Sequence, residues 1–245
     1  MKIAVIPDAQ VKPGVPIDHL THCGKYLAAK RPDVIVNIGD FADMPSLSSY
    51  DKNTLKAEGK RYRQDIDAAR RGMEALLTPI ARARDYNPRM IFTLGNHEHR
   101  ITRAVNEAPM LEGHVTMDDL QLEQFGWEVS PFLQPVTVAG VSFCHYFPSG
   151  QMGKPVTTAR ALLTKMHMSC FAGHQQGRDI AYGRRGDGVE MTAIIAGSFY
   201  QHDEEYLTPL TNRHWRGVYF LHDVRDGMFD EMAVSLEYLK RRFSK

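Results

Sequence analysis

Five short apolar runs in this chain stop abruptly, and each delivers a polar cluster. Ile3 to Ile6 ends at Pro7-Asp8, with Gln10 two places on, and Val34 to Ile38 ends at Gly39-Asp40, with Asp43 nearby. Met90 to Leu94 runs into Gly95-Asn96-His97-Glu98. Val141 to Phe143 leads to His145, and Phe171-Ala172 to Gly173-His174, with Gln176 beyond. Brief runs rich in β-branched residues and closed by Gly or Pro read as buried strands. In α/β sheets, ligands gather outside the carboxyl ends of the strands. Asp, Asp, Asn, His and His brought to one sheet edge would make a metal centre. Each has a plain structural reading alone: a turn cap at Asp8, a turn pair at Gly39-Asp40, a left-handed Asn at 96, a core histidine at 145. Their recurrence at strand ends is what points to a site.

The strands alternate with helical patterns in the first half of the chain. The spacing predicts helices over Ile17–Lys30, over Arg61–Arg84 with an interruption near Pro79, and from about Glu98 to Val105. Later, strands dominate: a hairpin across Gly140, a helix over Ala159–His167, then strands at Ser169–Ala172, Arg178–Tyr182, Val189–Ala196 and Val218–Val224. Arg184 to Gly188, RRGDG, is a hairpin turn signal. The expectation is one domain over residues 1–245, α/β in class, with two packed sheets and outer helices. The weakly periodic stretch 41–59 and the aromatic and charged stretch 199–216 read as lid loops.

Composition narrows the partners. The chain has 245 residues, 43% hydrophobic and 24% charged, with a formal net charge of +1. No global field favours nucleic acid or an anionic membrane. Three scattered cysteines, Cys23, Cys144 and Cys170, predict reduced thiols in the core of a cytoplasmic protein. MKIAVIPDAQ does not read as a signal peptide, and no stretch is long and apolar enough to span a bilayer. Nothing in the sequence speaks to oligomeric state.

GDFAD (Gly39 to Asp43), GNHE (Gly95 to Glu98) and Gly173-His174, with Asp8 and His145 in matching order, resemble the motifs of the calcineurin-like metallophosphoesterases. The resemblance spans Asp8 to Gln176. It implies a four-layer αββα sandwich of two mixed sheets flanked by helices, with two divalent ions at the strand ends. By the same resemblance Asp40 bridges the ions, Asp8 binds the first, and Asn96, His145 and His174 join Asp40 around the second. The family's first motif normally places a histidine where Gln10 stands, and its last motif one where Gln176 stands. Both glutamines therefore count toward the first ion. The second set suits Mn, Fe, Zn or Ni, whereas an oxygen-only first set favours Mg or Mn and weak binding. Manganese is the ion expected overall.

The resemblance further implies hydrolysis of a phosphomonoester or phosphodiester by a metal-bound hydroxide, the ions clamping the attacking and leaving oxygens. His97 would donate the leaving group's proton, Asp43 would orient His97, and Arg100 would neutralise a phosphate oxygen. The substrate would be a phosphate ester, including a nucleotide or nucleic acid. A structure-specific nuclease and a regulatory metal-binding protein with a degenerate site are the rival readings.

Overall fold

A computed structural model describes residues 1–204 and 207–244 of the chain. Residues 205 and 206, inside the stretch read as a second lid loop, lie outside the described residues. The first half builds β1 (Ile3–Ile6), α1 (Asp18–Lys30), β2 (Val34–Asn37), α2 (Tyr62–Ala81), β3 (Arg89–Thr93), α3 (His99–Glu107) and β4 (Glu128–Ser130). The second half builds β5 (Val136–Val138), β6 (Val141–Cys144), a two-residue pair β7 (Pro148–Ser149) and β8 (Lys154–Pro155), then α4 (Ala159–Met166) and β9 (Cys170–Ala172). It ends with β10 (Arg178–Arg184), β11 (Glu190–Ala196), β12 (Gly217–Arg225), β13 (Met228–Ser235) and α5 (Leu236–Phe243).

Two sheets carry the fold. The six-stranded sheet runs β13-β12-β1-β2-β3-β4, and the five-stranded sheet β10-β11-β9-β6-β5. β1 to β4 are mutually parallel, with Ile3 opposite Val34 and Ile35 opposite Met90. In the other sheet β6, β9 and β11 are parallel, with β5 and β10 antiparallel at the edges. Parallel strands point their carboxyl ends the same way, so loops after β1, β2 and β3 share one edge, and those after β6 and β9 share another.

Alternation along each strand fixes the layers. In β1, Ile3 and Val5 face the second sheet, while Ala4 and Ile6 face helices. Between the sheets lie Val34, Val36 and Ile91 from one side and Val141, Phe143, Phe171, Ile194 and Ala196 from the other. Outside the first sheet, Leu20 and Leu27 of α1, Met73 and Leu76 of α2 and Leu239 of α5 close a second cluster. Outside the second, Leu162 and Leu163 of α4 pack on Cys144, Cys170, Ala193 and Ile195. Four layers result: helices, sheet, sheet, helix. The three cysteines are unpaired and buried in these layers. Among the described residues no helix is long and apolar enough to cross a membrane.

The structure differs from the sequence reading in several places, the short strands β4, β7 and β8 among them, which that reading does not assign. α2 is not interrupted at Pro79 but continues to Ala81. Proline removes one N–H from the ladder, and two residues before the helix end that costs little of the remaining helix. The pair β13 and α5 likewise has no counterpart in the sequence-based assignment. The strand there shows mixed burial, with no clean alternation to read.

Phe171 is fully buried and stacks on Phe143 at 5.6 Å between the sheets. Truncating it should cost about 3–5 kcal/mol, the usual range for a core aromatic cut to alanine. Guanidinium unfolding of Phe171→Ala measures this, and a loss under about 1 kcal/mol would mean that the sheets do not close tightly there.

Candidate metal centre

The strand ends deliver their polar residues to one place. Ligand atoms of Asp40, His145 and His174 all lie within 4.8 Å of one another. Asn96 completes the group: its Oδ1 stands 2.9 Å from His145 Nε2 and 2.8 Å from His174 Nδ1. Asp40 Oδ2 is 3.3 Å from His145 Nε2. His145 is fully buried, and its Nδ1 sits 3.0 Å from the Ile38 carbonyl. That carbonyl only accepts, so Nδ1 carries the proton, and in neutral imidazole Nε2 then offers a lone pair. Two imidazole nitrogens and two oxygens thus converge on one point, and at His145 Nε2 either a second ring proton or a shared cation satisfies the Asp40 and Asn96 oxygens. A mixed nitrogen and oxygen donor set fits a divalent transition ion.

The backbone around the group is tightly specified. Asp40 adopts a left-handed conformation, φ 49°, and is buried. Its Oδ1 accepts from His97 N at 2.9 Å. Glu98, also fully buried, accepts from Asp40 N at 2.9 Å, Gly95 N at 2.8 Å and Ala42 N at 2.9 Å. It holds the loop after β2 against the loop after β3. Glycine precedes Asn96 and His174 because a side chain has no room there. A Cβ at Gly95 would fall on the Asp40 carboxylate, and one at Gly173 on the Asp8 carboxylate.

Asp8 lies beside this group, fully buried, and both its oxygens accept from His174 N, at 3.2 and 3.1 Å. Burial raises its pKa to about 7; His145 opposes that shift and Asp40 adds to it. Gln10 is buried in a left-handed conformation, and its backbone N–H donates to the Asp40 carbonyl at 2.9 Å. Gln176 presents its amide nitrogen to Asp8 Oδ2 at 3.5 Å, while its oxygen accepts from the Tyr200 hydroxyl at 2.8 Å. As oriented, the oxygen of Gln176 is already engaged.

His97 is held at both ring nitrogens. Nδ1 lies 2.8 Å from Asp43 Oδ1, and Nε2 lies 3.0 Å from Arg100 Nη2 and 3.6 Å from Asp40 Oδ2. Burial alone would lower its pKa, but Asp40 and Asp43 outweigh that and raise it. Arg100 donates from Nη1 to the carbonyls of Asp43 at 2.7 Å and Met44 at 3.3 Å. Its guanidinium is turned onto the Asp43–His97 pair, with 11% of the side chain exposed.

The sequence reading did not reach Lys12 or Glu204. Lys12 Nζ bridges Asp43 Oδ2 at 3.1 Å and Glu204 at 2.7 and 2.8 Å. His202 Nε2 is 2.6 Å from Glu204 Oε1. This chain of charges ties the segment after β11 to Asp43 through Lys12, which stands 192 positions from Glu204 in the sequence. No local spacing announces such a contact. Tyr200 was seen only as part of an aromatic stretch.

No protein-family model matches the chain. Its similarity to the Gene 54 protein of Mycobacterium phage L5 is 28% identity over 149 residues, 58% of this chain; the chain spans about half, 55%, of that relative's length. Among solved structures, Yfce, a phosphoesterase from E. coli, superposes with a TM-score of 0.44 at 13% identity, covering 96% of this chain and 100% of that one. A dimetal phosphatase from Danio rerio gives 0.42 at 11% identity, covering 96% and 99%.

His145 yields a test of the centre through its proton. Burial opposes a charge on this ring, but Asp40 more than compensates and the pKa rises to about 9. At pH 7 the metal-free ring is therefore protonated, and a cation must displace that proton to use Nε2. Apparent manganese affinity should rise about tenfold per pH unit from 7 toward 9 and level off above, with about one proton released per ion. Calorimetry in buffers of differing ionisation enthalpy reads both quantities. Affinity independent of pH, with no proton released, would remove His145 from the ligand set.

Proposed function

We propose that this chain is a metal-dependent phosphoric ester hydrolase, a single domain acting on a phosphomonoester or phosphodiester. The observation that carries the reading is the convergence of Asp40 Oδ2, Asn96 Oδ1, His145 Nε2 and His174 Nδ1. Beside it stand a second buried carboxylate, Asp8, and a histidine–aspartate pair, His97 and Asp43. A divalent cation held by the converging group, manganese in our assignment, would supply positive charge against the phosphoryl oxygens. Asp8 and Asp40 would share a second, weaker ion. As imidazolium, His97 would keep its Nδ1 proton toward Asp43 and pass its Nε2 proton to the departing ester oxygen. Asp43 fixes the ring through Nδ1, and Arg100, turned inward, supports Asp43. Arg100 thus acts on the pair before it acts on phosphate. The reduced thiols fit the cytoplasm, which we take as the compartment.

Hydrolysis of p-nitrophenyl phosphate and its bis-ester with manganese tests this directly. At least one should turn over, and His97→Ala should cut the rate roughly 100-fold or more while bound metal stays unchanged. No turnover of either ester would favour a regulatory metal-binding protein instead.

The weaker ion has its own test. The Tyr200 hydroxyl engages the Gln176 oxygen, so the first site lacks one oxygen donor. Metal titration should resolve one tight and one weak ion per chain. Tyr200→Phe frees the amide to turn, and should tighten the weak ion alone. Two equally tight ions in the unaltered protein would overturn the assignment.

A further inference from the structure

Four rings form a continuous strip beside the centre. His99 at the start of α3 stacks on Phe132, which follows β4, with centroids 4.6 Å apart and planes at 20°. Phe132 meets the edge of Tyr146 at 5.6 Å and 83°. Tyr146, next to His145, lies 4.9 Å from His174 at 50°. Loops from both sheets contribute, so the strip is assembled across the fold and not along one element. All four residues are half-buried, whereas Phe92, Phe143 and Phe171 of the sheets are fully covered. Phe132 also packs on the core cluster, which anchors the strip, and the rings stay partly exposed beside the converging donors.

Position says what docks. His174 belongs both to the strip and, through Nδ1, to the group of converging donors. A phosphate held at those donors therefore places its ester substituent beside Tyr146, with Phe132 one ring further along the strip. Flat, polarisable rings with polar edges at His99 and Tyr146 suit a planar heterocycle better than an alkyl chain, because a heterocycle can stack and present polar edges at once. Burial and Arg103 both lower the pKa of His99, which keeps that ring neutral and able to stack.

We propose that His99, Phe132 and Tyr146 form a stacking platform for one nucleobase of a nucleotidyl phosphate ester bound at the metal centre. This rests on the phosphoric ester hydrolase reading and names its substrate class. Stacking is tolerant of base identity because every base has a π face, so the platform selects nucleotides as a class.

The test uses full-length protein with manganese and two non-hydrolysable probes. One is adenosine bearing a 5′-phosphonate, the other ribose bearing the same phosphonate, and both are titrated by calorimetry. The base should improve affinity roughly 5- to 100-fold, the range for one stacked base. Phe132→Ala should bring the ratio of the two affinities close to one, and Phe132→Trp should restore it, which separates stacking from loss of fold. Equal affinities in the unaltered protein would overturn the platform while leaving the hydrolase reading intact. Binding of neither probe would overturn both. A dinucleotide phosphonate should bind no more tightly than the mononucleoside probe; a further roughly tenfold gain would overturn the single-base assignment in favour of a strand.

Discussion

Glu98 is the interaction on which the candidate centre depends. A carboxylate with no solvent contact is costly unless its lone pairs are met, and here three backbone N–H groups meet them. They come from two loops that follow different strands. Each N–H left without its acceptor would cost about 1–3 kcal/mol, so the loops are fixed to each other by a connection that neither could supply alone. Asp40 returns the contact through Oδ1 to His97 N. The left-handed turn at Asp40 is thereby held from both sides, and its free oxygen points at His145.

That lock explains why chemistry-bearing residues sit on loops yet are not loosely placed. β1, β2 and β3 are parallel and in register, which sets where each loop begins. Small residues at 95 and 173 let the two carboxylates approach the opposite backbone. His145 and Asp40 each point one ligand atom inward because the other is already assigned, to the Ile38 carbonyl and the His97 N–H respectively. Orientation comes from the scaffold, and a cation would enter a set of donors already aimed.

Much of this was legible from the chain alone. Uninterrupted apolar runs gave the strands, since a strand covered on both faces shows no alternation, and their abrupt ends located Asp8, Asp40, Asn96, His145 and His174. The rest was hidden for definite reasons. Lys12 and Glu204 meet across most of the sequence, and a lysine in a loop has no pattern of its own. Gln176 could be read as a donor to a metal, but its amide is oriented by Tyr200, a contact set by how the segment after β11 folds back. Arg100 reads as a contact to a phosphate oxygen, yet its guanidinium is drawn in by two carbonyls. β13 escaped notice because its partly exposed faces alternate poorly.

The buried cysteines have a bearing on the metal. Thiolate, not thiol, is the form that binds soft cations and reacts with oxidants. Cys144 directly precedes His145, and Cys170 stands four residues before His174 on the neighbouring strand, so sulfur is carried by the same two strands as the imidazoles. Burial raises the Cys144 thiol to about 11 and the Cys170 thiol to about 12. Strand alternation points both into the helix-covered layer, away from the converging donors. The fold thus keeps its softest potential ligands protonated and facing the other way. Ion choice is left to nitrogen and oxygen, and the sulfur beside the centre is shielded from the redox chemistry a transition ion can bring.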